Sequence, residues 1–155
     1  MKHQTILIIL LSAFVLTGCD MIYGVSRTAQ VSHVPHPNQV KKTIASVPGV
    51  EKVTHTFSEG GRPIKHYRIQ APDKVYEFTY SGGANIHGDL YFVMDYSGKI
   101  FFSQYLLRMH QPPPQEWVDA TRPVMKLIEM RLEQECGLTG LSTSVVERCN
   151  GVKVN

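Results

Sequence analysis

The sequence predicts an α+β fold: a short N-terminal helix, an antiparallel sheet of about five strands, a long C-terminal helix packed on the sheet, and a disulfide-tied tail. Three observations carry this. From residue 50 to 107 the apolar side chains recur with a period of two, broken by Gly- and Pro-containing turns, which marks successive strands. From Gln115 to Glu135 they recur at helical spacing, so one helix face needs a surface to cover. The short connections between sequential strands favour antiparallel neighbours.

Before any of these elements comes Lys2 and an apolar run from Ile6 to Leu16. A transmembrane helix needs about 20 apolar residues, whereas this run has the length of a signal-peptide core. It ends in Leu16-Thr17-Gly18-Cys19. That order of a branched apolar residue, a small residue, Gly and Cys resembles the lipobox of bacterial lipoproteins. The resemblance implies cleavage before Cys19, diacylglycerol on its sulfur, and a fatty acid such as palmitate on its new amino group. An ordinary secretory signal followed by a coincidental cysteine fits the same residues. Asp20 resembles the signal that retains enterobacterial lipoproteins at the inner membrane. The expected location is therefore the cell envelope, lipid-anchored and facing the periplasm, with the inner membrane favoured. Residues 1–18 are read as signal peptide, 19–34 as a lipidated tether with room for an edge strand near Val31, and 35–155 as one α+β domain.

Removing residues 1–18 takes away Lys2 alone among the charges and leaves 15 basic against 13 acidic residues. So weak an excess, with no basic cluster, gives no footprint for nucleic acid. A hydrophobic content of 43% is that of a chain that builds a core. Of three cysteines, Cys136 and Cys149 remain once Cys19 is lipidated. In an oxidising compartment two such residues are expected to pair, which stabilises a loop of this size by about 3 kcal/mol. A redox-active pair or half of a metal site are the alternatives, and both usually show closer C-x-x-C spacing.

Taken in order, His36-Pro37-Asn38 opens a helix with Val40, Ile44 and Val47 on one face and Lys41 and Lys42 towards water. Pro48-Gly49 stops it. Val53, His55 and Phe57 share a strand face. After Gly60-Gly61, Tyr67 and Ile69 mark a returning strand, in a register shifted by one residue so that Val53 and Phe57 align with them. Pro72-Asp73-Lys74 turns the chain, and Tyr76, Phe78 and Tyr80 then alternate with Val75, Glu77 and Thr79. Beyond the Gly-rich loop Ser81–Gly88 comes a hairpin. A two-residue Ser97-Gly98 loop places Leu90, Phe92, Met94 and Tyr96 on one face with Phe101, Tyr105 and Leu107. Tyr91, Val93, Ile100 and Phe102 fall on the other. Apolar side chains on both faces imply central strands or an oligomer contact.

His110-Gln111-Pro112-Pro113-Pro114 is a stiff connector. The long helix carries Trp117, Val118, Val124, Leu127, Ile128 and Leu132 on its stripe, with Lys126, Glu129, Arg131 and Glu133 outside it. Pro123 either kinks this helix or starts a second one capped by Thr121. Cys136-Gly137 terminates it, and Val145–Cys149 returns as an extended segment. The order of elements, with Asp95-x-Ser97-Gly98-Lys99 in the hairpin, looks like small envelope lipoproteins of the outer-membrane-assembly type. The long C-terminal helix and Cys136/Cys149 depart from them, and no functional residue is carried over.

Several groups invite a chemical role. His33-x-x-His36 and His55 with His66 have imidazoles that suit a transition metal, but the first pair flanks prolines and the second falls on opposite faces in the favoured register. The stretch Gly82–Asp89 lacks P-loop spacing and precedes a strand. His87 and Asp89, with Ser81 as nucleophile, sketch a hydrolase without the G-x-S-x-G elbow. Trp117 and the tyrosines can stack on sugar rings or anchor a protein, and their strand and helix periods equally suit a core. The expected function is a membrane-tethered, non-enzymatic envelope lipoprotein that binds a protein partner, as an assembly accessory or immunity-type protein. A cell-wall glycan or small-ligand binding module is the alternative, and a hydrolase around His87/Asp89 a remote one. No catalytic residue, cofactor or metal is assigned; Cys19 is the lipid attachment site and Cys136–Cys149 the disulfide.

Overall fold

A computed structural model describes residues 22–59, 74–109 and 111–150. The elements are β1 (Ile22–Val31), α1 (Pro37–Ala45), β2 (Lys52–Glu59), β3 (Lys74–Gly82), β4 (Ile86–Met94), β5 (Ile100–Met109), α2 (Gln115–Cys136), α3 (Leu141–Ser144) and β6 (Val146–Asn150). Six strands form one sheet in the order β2-β3-β4-β5-β1-β6. All pairings are antiparallel. The α+β class and the long helix on the sheet hold; among the described residues the sheet has six strands where about five were expected.

Four of the expected strands are seen as β2 to β5, and β1 and β6 are added to them. The segment read as a tether places Val25, Ala29 and Val31 at alternate positions, all buried. This strand pairs with β5 along ten residues and with β6 on its other side. It lies inside the sheet, so residues from Ile22 onward are not available as tether.

α1 forms as its sequence dictates. His36 keeps an extended backbone at the N-cap and its ring accepts a hydrogen bond from the Asn38 amide, while Pro37 opens the first turn. Val40, Ile44 and Val47 are buried. They meet Phe78, Tyr80, Leu90, Phe92 and Phe102 of the sheet and Val124, Ile128 and Leu132 of α2 in the main core. A smaller core of Val25, Leu106, Val118 and Met125 lies towards the start of β1, with Trp117 and Cys149 packed on it.

The β4–β5 hairpin corrects the expected register by one residue. Asp95 N–H donates to Lys99 O, and Met94 pairs with Ile100, so the loop has three residues, Tyr96-Ser97-Gly98. The Asp95 carboxylate accepts from the Ser97 amide, the Ser97 hydroxyl and the Lys99 amide, and Gly98 sits at φ 79°. This is a turn closed by a left-handed residue, which glycine adopts without steric cost. The shift puts Ile100 and Phe102 with Leu90 and Phe92 under the helices, and Phe101 and Tyr105 with Tyr91 and Val93 on the other face. The strand expected around Tyr67 and Ile69, and His66 with it, lie outside the described residues. β2 pairs with β3, Val53 opposite Tyr80 and Phe57 opposite Tyr76.

α2 is a single helix through Pro123. Thr121 does not cap a second helix: its hydroxyl donates to Asn85 O and accepts from the His87 amide, fastening α2 to the β3–β4 turn. Cys136 and Cys149 are free. The Cys136 carbonyl accepts from His33 Nε2 just beyond the Val31 end of β1, whereas Cys149 pairs with Val25. Six strand positions separate Val25 from Val31, about 20 Å, while a disulfide needs Cα atoms within about 7 Å. The tail does fold back, as expected, but it pairs as β6 along β1 and thereby carries Cys149 away from the helix end.

Candidate functional site

The inward line of β1 reads Val25, Arg27, Ala29, Val31. A guanidinium in an apolar line is costly unless it is paired. Here two elements pair it. From α2, Glu129 receives a two-point fork, Arg27 Nε to Oε1 at 2.7 Å and Nη2 to Oε2 at 2.8 Å. From β6, Glu147 lies directly across the ladder and takes Nη1 on Oε2 at 2.6 Å. The side chains of Arg27 and Glu129 are 12% and 8% exposed. Arg122, a second cation from α2, places Nε 2.5 Å from the other Glu147 oxygen.

β5 and β3 extend the network. Gln104, opposite Arg27 and fully buried, donates from Nε2 to Glu129 Oε1 at 3.0 Å and to the Met125 carbonyl at 2.9 Å. Its own Oε1 accepts from the Tyr80 hydroxyl at 3.3 Å. The Tyr80 ring fits because its neighbour is Gly88; a Cβ there would collide with the phenol oxygen. The result is a polar file from β3 to β6 under α2, with two cations against two carboxylates. The Glu129 hydrogen bond, foremost, raises the Arg27 guanidinium above its ordinary value. Burial, then the charges of Asp89 and Glu129, push the Tyr80 phenol upward. Beside Arg122 an open hollow of about 370 Å³ is lined by Asp119, Arg122, Pro123 and Lys126.

Chemically this arrangement is a clasp. Its polar groups bind one another, and it holds β1, β5, β6 and α2 in one geometry. Sequence reading placed Arg27 in the tether and Glu129 in solvent. The alternation of Val25, Ala29 and Val31 around Arg27 was the available signal, because a charge on an inward strand face requires a buried partner.

Other sequence-derived candidates fall apart or take structural roles. Cys19 lies outside the described residues. His33 Nε2 donates to the α2 terminus while His36 caps α1, so the two are not joined on one ligand. His55 stacks on Phe78 at 5.2 Å between ring centroids. Ser81 does sit opposite His87, with Asp89 on the same sheet face. The Asp89 carboxylate, however, accepts from Thr79 at 2.9 Å, and the His87 amide engages Thr121 at 3.2 Å. Glu133 accepts from the Ser142 amide and so starts α3. Among the described residues, no three His, Cys, Asp or Glu side chains converge as a metal cage. Nor is any described helix long and apolar enough to cross a membrane. No family model, no curated protein and no solved structure matches the chain.

Proposed function

We propose that the chain is a lipid-anchored protein of the bacterial cell envelope, held at the membrane through Cys19, that works without catalysis by binding a protein partner. The lipobox-like Leu16-Thr17-Gly18-Cys19 supports the anchor. One structural observation supports the partner. Two of the large apolar side chains left exposed among the described residues, Tyr96 at 69% and Phe57 at 45%, lie away from the Ile22 end of β1. Tyr96 is in the β4–β5 turn, beside the Val31 end of β1, and Phe57 approaches the end of β2 on that side. A domain tied down at Ile22 presents this end to a periplasmic protein, and exposed aromatics are favoured anchors at interfaces.

Photo-crosslinking residues at positions 57 and 96, with Lys41 as control, test the reading in intact lipidated protein. A single protein adduct common to positions 57 and 96 and missing at 41 is expected. Adducts to the cell-wall glycan alone would favour a glycan-binding module and defeat the partner reading.

A further inference from the structure

We infer that the end of the sheet where β1 begins lies in the phospholipid headgroup layer, with the Trp117 ring and the Arg108 guanidinium at the lipid surface. The inference rests on the reading of Cys19 as the lipid-bearing residue and adds where the domain sits. Cys19 and Ile22 are three residues apart, which spans at most about 10 Å even when fully extended. Lengthening it by peeling β1 would break the pairing with β5 from Ile22 onward and, from Gly24 onward, the pairing with β6 as well. An acylated Cys19 therefore holds the first residues of the ladder within about 10 Å of the lipid-bearing residue, at the level of the headgroups, which are about 5–8 Å thick on each side, or just above them.

What stands at that end suits lipid. Tyr23, the second residue of β1, pairs with Arg108 on β5. The Arg108 guanidinium carbon lies 5.3 Å from the centroid of the Trp117 ring in the first turn of α2. Trp117 is half-buried and packs on the small core of Val25, Leu106, Val118 and Met125, which fixes the ring in place and leaves part of it outside. An indole with an apolar body and an N–H donor is the side chain most at home between hydrocarbon and water. A guanidinium over its face adds attraction for lipid phosphate. Arg148, exposed on β6, brings a second cation to this end, and Glu116, exposed in the same turn as Trp117, offsets one of them. The surface is thus governed by aromatic insertion and only weakly by net charge.

Trp117 is the single tryptophan of the chain, so intrinsic emission reports this site alone. The mature lipidated protein would be reconstituted into phosphatidylethanolamine–phosphatidylglycerol vesicles with and without lipids brominated high on the acyl chain. Loss of most Trp117 emission in brominated vesicles is expected. Recovery is expected when a Gly/Ser linker of about 20 residues, which behaves as a flexible coil, is inserted between Met21 and Ile22. Unchanged emission in brominated vesicles, from protein whose mass confirms the lipid, would overturn the orientation and leave the lipoprotein reading standing. An unmodified Cys19 by mass would overturn that reading itself.

Discussion

Arg27→Met keeps much of the apolar stem and removes the charge and the donor fork. Glu147 would keep Arg122 at 2.5 Å. Glu129 would keep the Gln104 amide at 3.0 Å as its side-chain donor in the network and lose its cation. With that carboxylate only 8% exposed, the uncompensated charge should cost about 3–5 kcal/mol. The exposed pair Arg131–Glu135, at 36% and 40%, provides the scale: Arg131→Met should cost about 0.5 kcal/mol or less. Combining Arg27→Met with Glu129→Leu removes both charges and leaves Arg122 to balance Glu147, so the double variant should be more stable than Arg27→Met alone. Urea unfolding of the domain in a Cys19→Ser background reads all of these as midpoints at constant slope. A cost for Arg27→Met no larger than that for Arg131→Met, or a double variant that loses the sum of the singles, would refute the clasp.

Three further outcomes follow from single features. Pro123 is exposed within α2 and withholds one helix hydrogen bond, so Pro123→Ala should stabilise by about 2 kcal/mol after the looser unfolded chain is counted, raising Tm by about 4–8 °C. Both thiols should be free in native exported protein and slow to alkylate, since burial foremost raises each above the ordinary thiol value, with half-buried Cys149 reacting before Cys136. A disulfide in non-reducing mass analysis would contradict this. The Tyr80 and Tyr91 phenols are raised chiefly by burial, so their folded values exceed the unfolded value of about 10. Stability is therefore complete below that pH and falls as pH rises above it, and alkaline absorbance titration should show these two ionising only with unfolding.

Legibility in the sequence tracked how local the determinants are. α1 was readable because Val40 and Ile44, with Val47 just past its end, set the buried face and His36-Pro37 the start within a dozen residues. The alternation of β3 was readable for the same reason. The β4–β5 register was not, because it turns on whether Asp95 caps a three-residue loop, and a one-residue slip exchanges every face. The clasp was only half legible, because a charge in the inward line of β1 requires a buried partner without saying which. Glu129 follows Met125 by four residues and so falls on the buried side of α2, but its partner lies 102 residues earlier in a segment whose alternation Arg27 itself interrupts. The expected disulfide failed because cysteine counting fixes compartment and parity and says nothing of which way the last strand runs.

The proposed function and the proposed orientation both require lipid at Cys19. Intact-mass and peptide analysis of the protein purified from membranes measures it directly. The expected N-terminal peptide begins at Cys19 and carries the mass of diacylglycerol and an amide-linked fatty acid, and a Cys19→Ser variant carries neither. A mature chain that begins elsewhere, or a Cys19 thiol that is free or bonded to another cysteine, would contradict it.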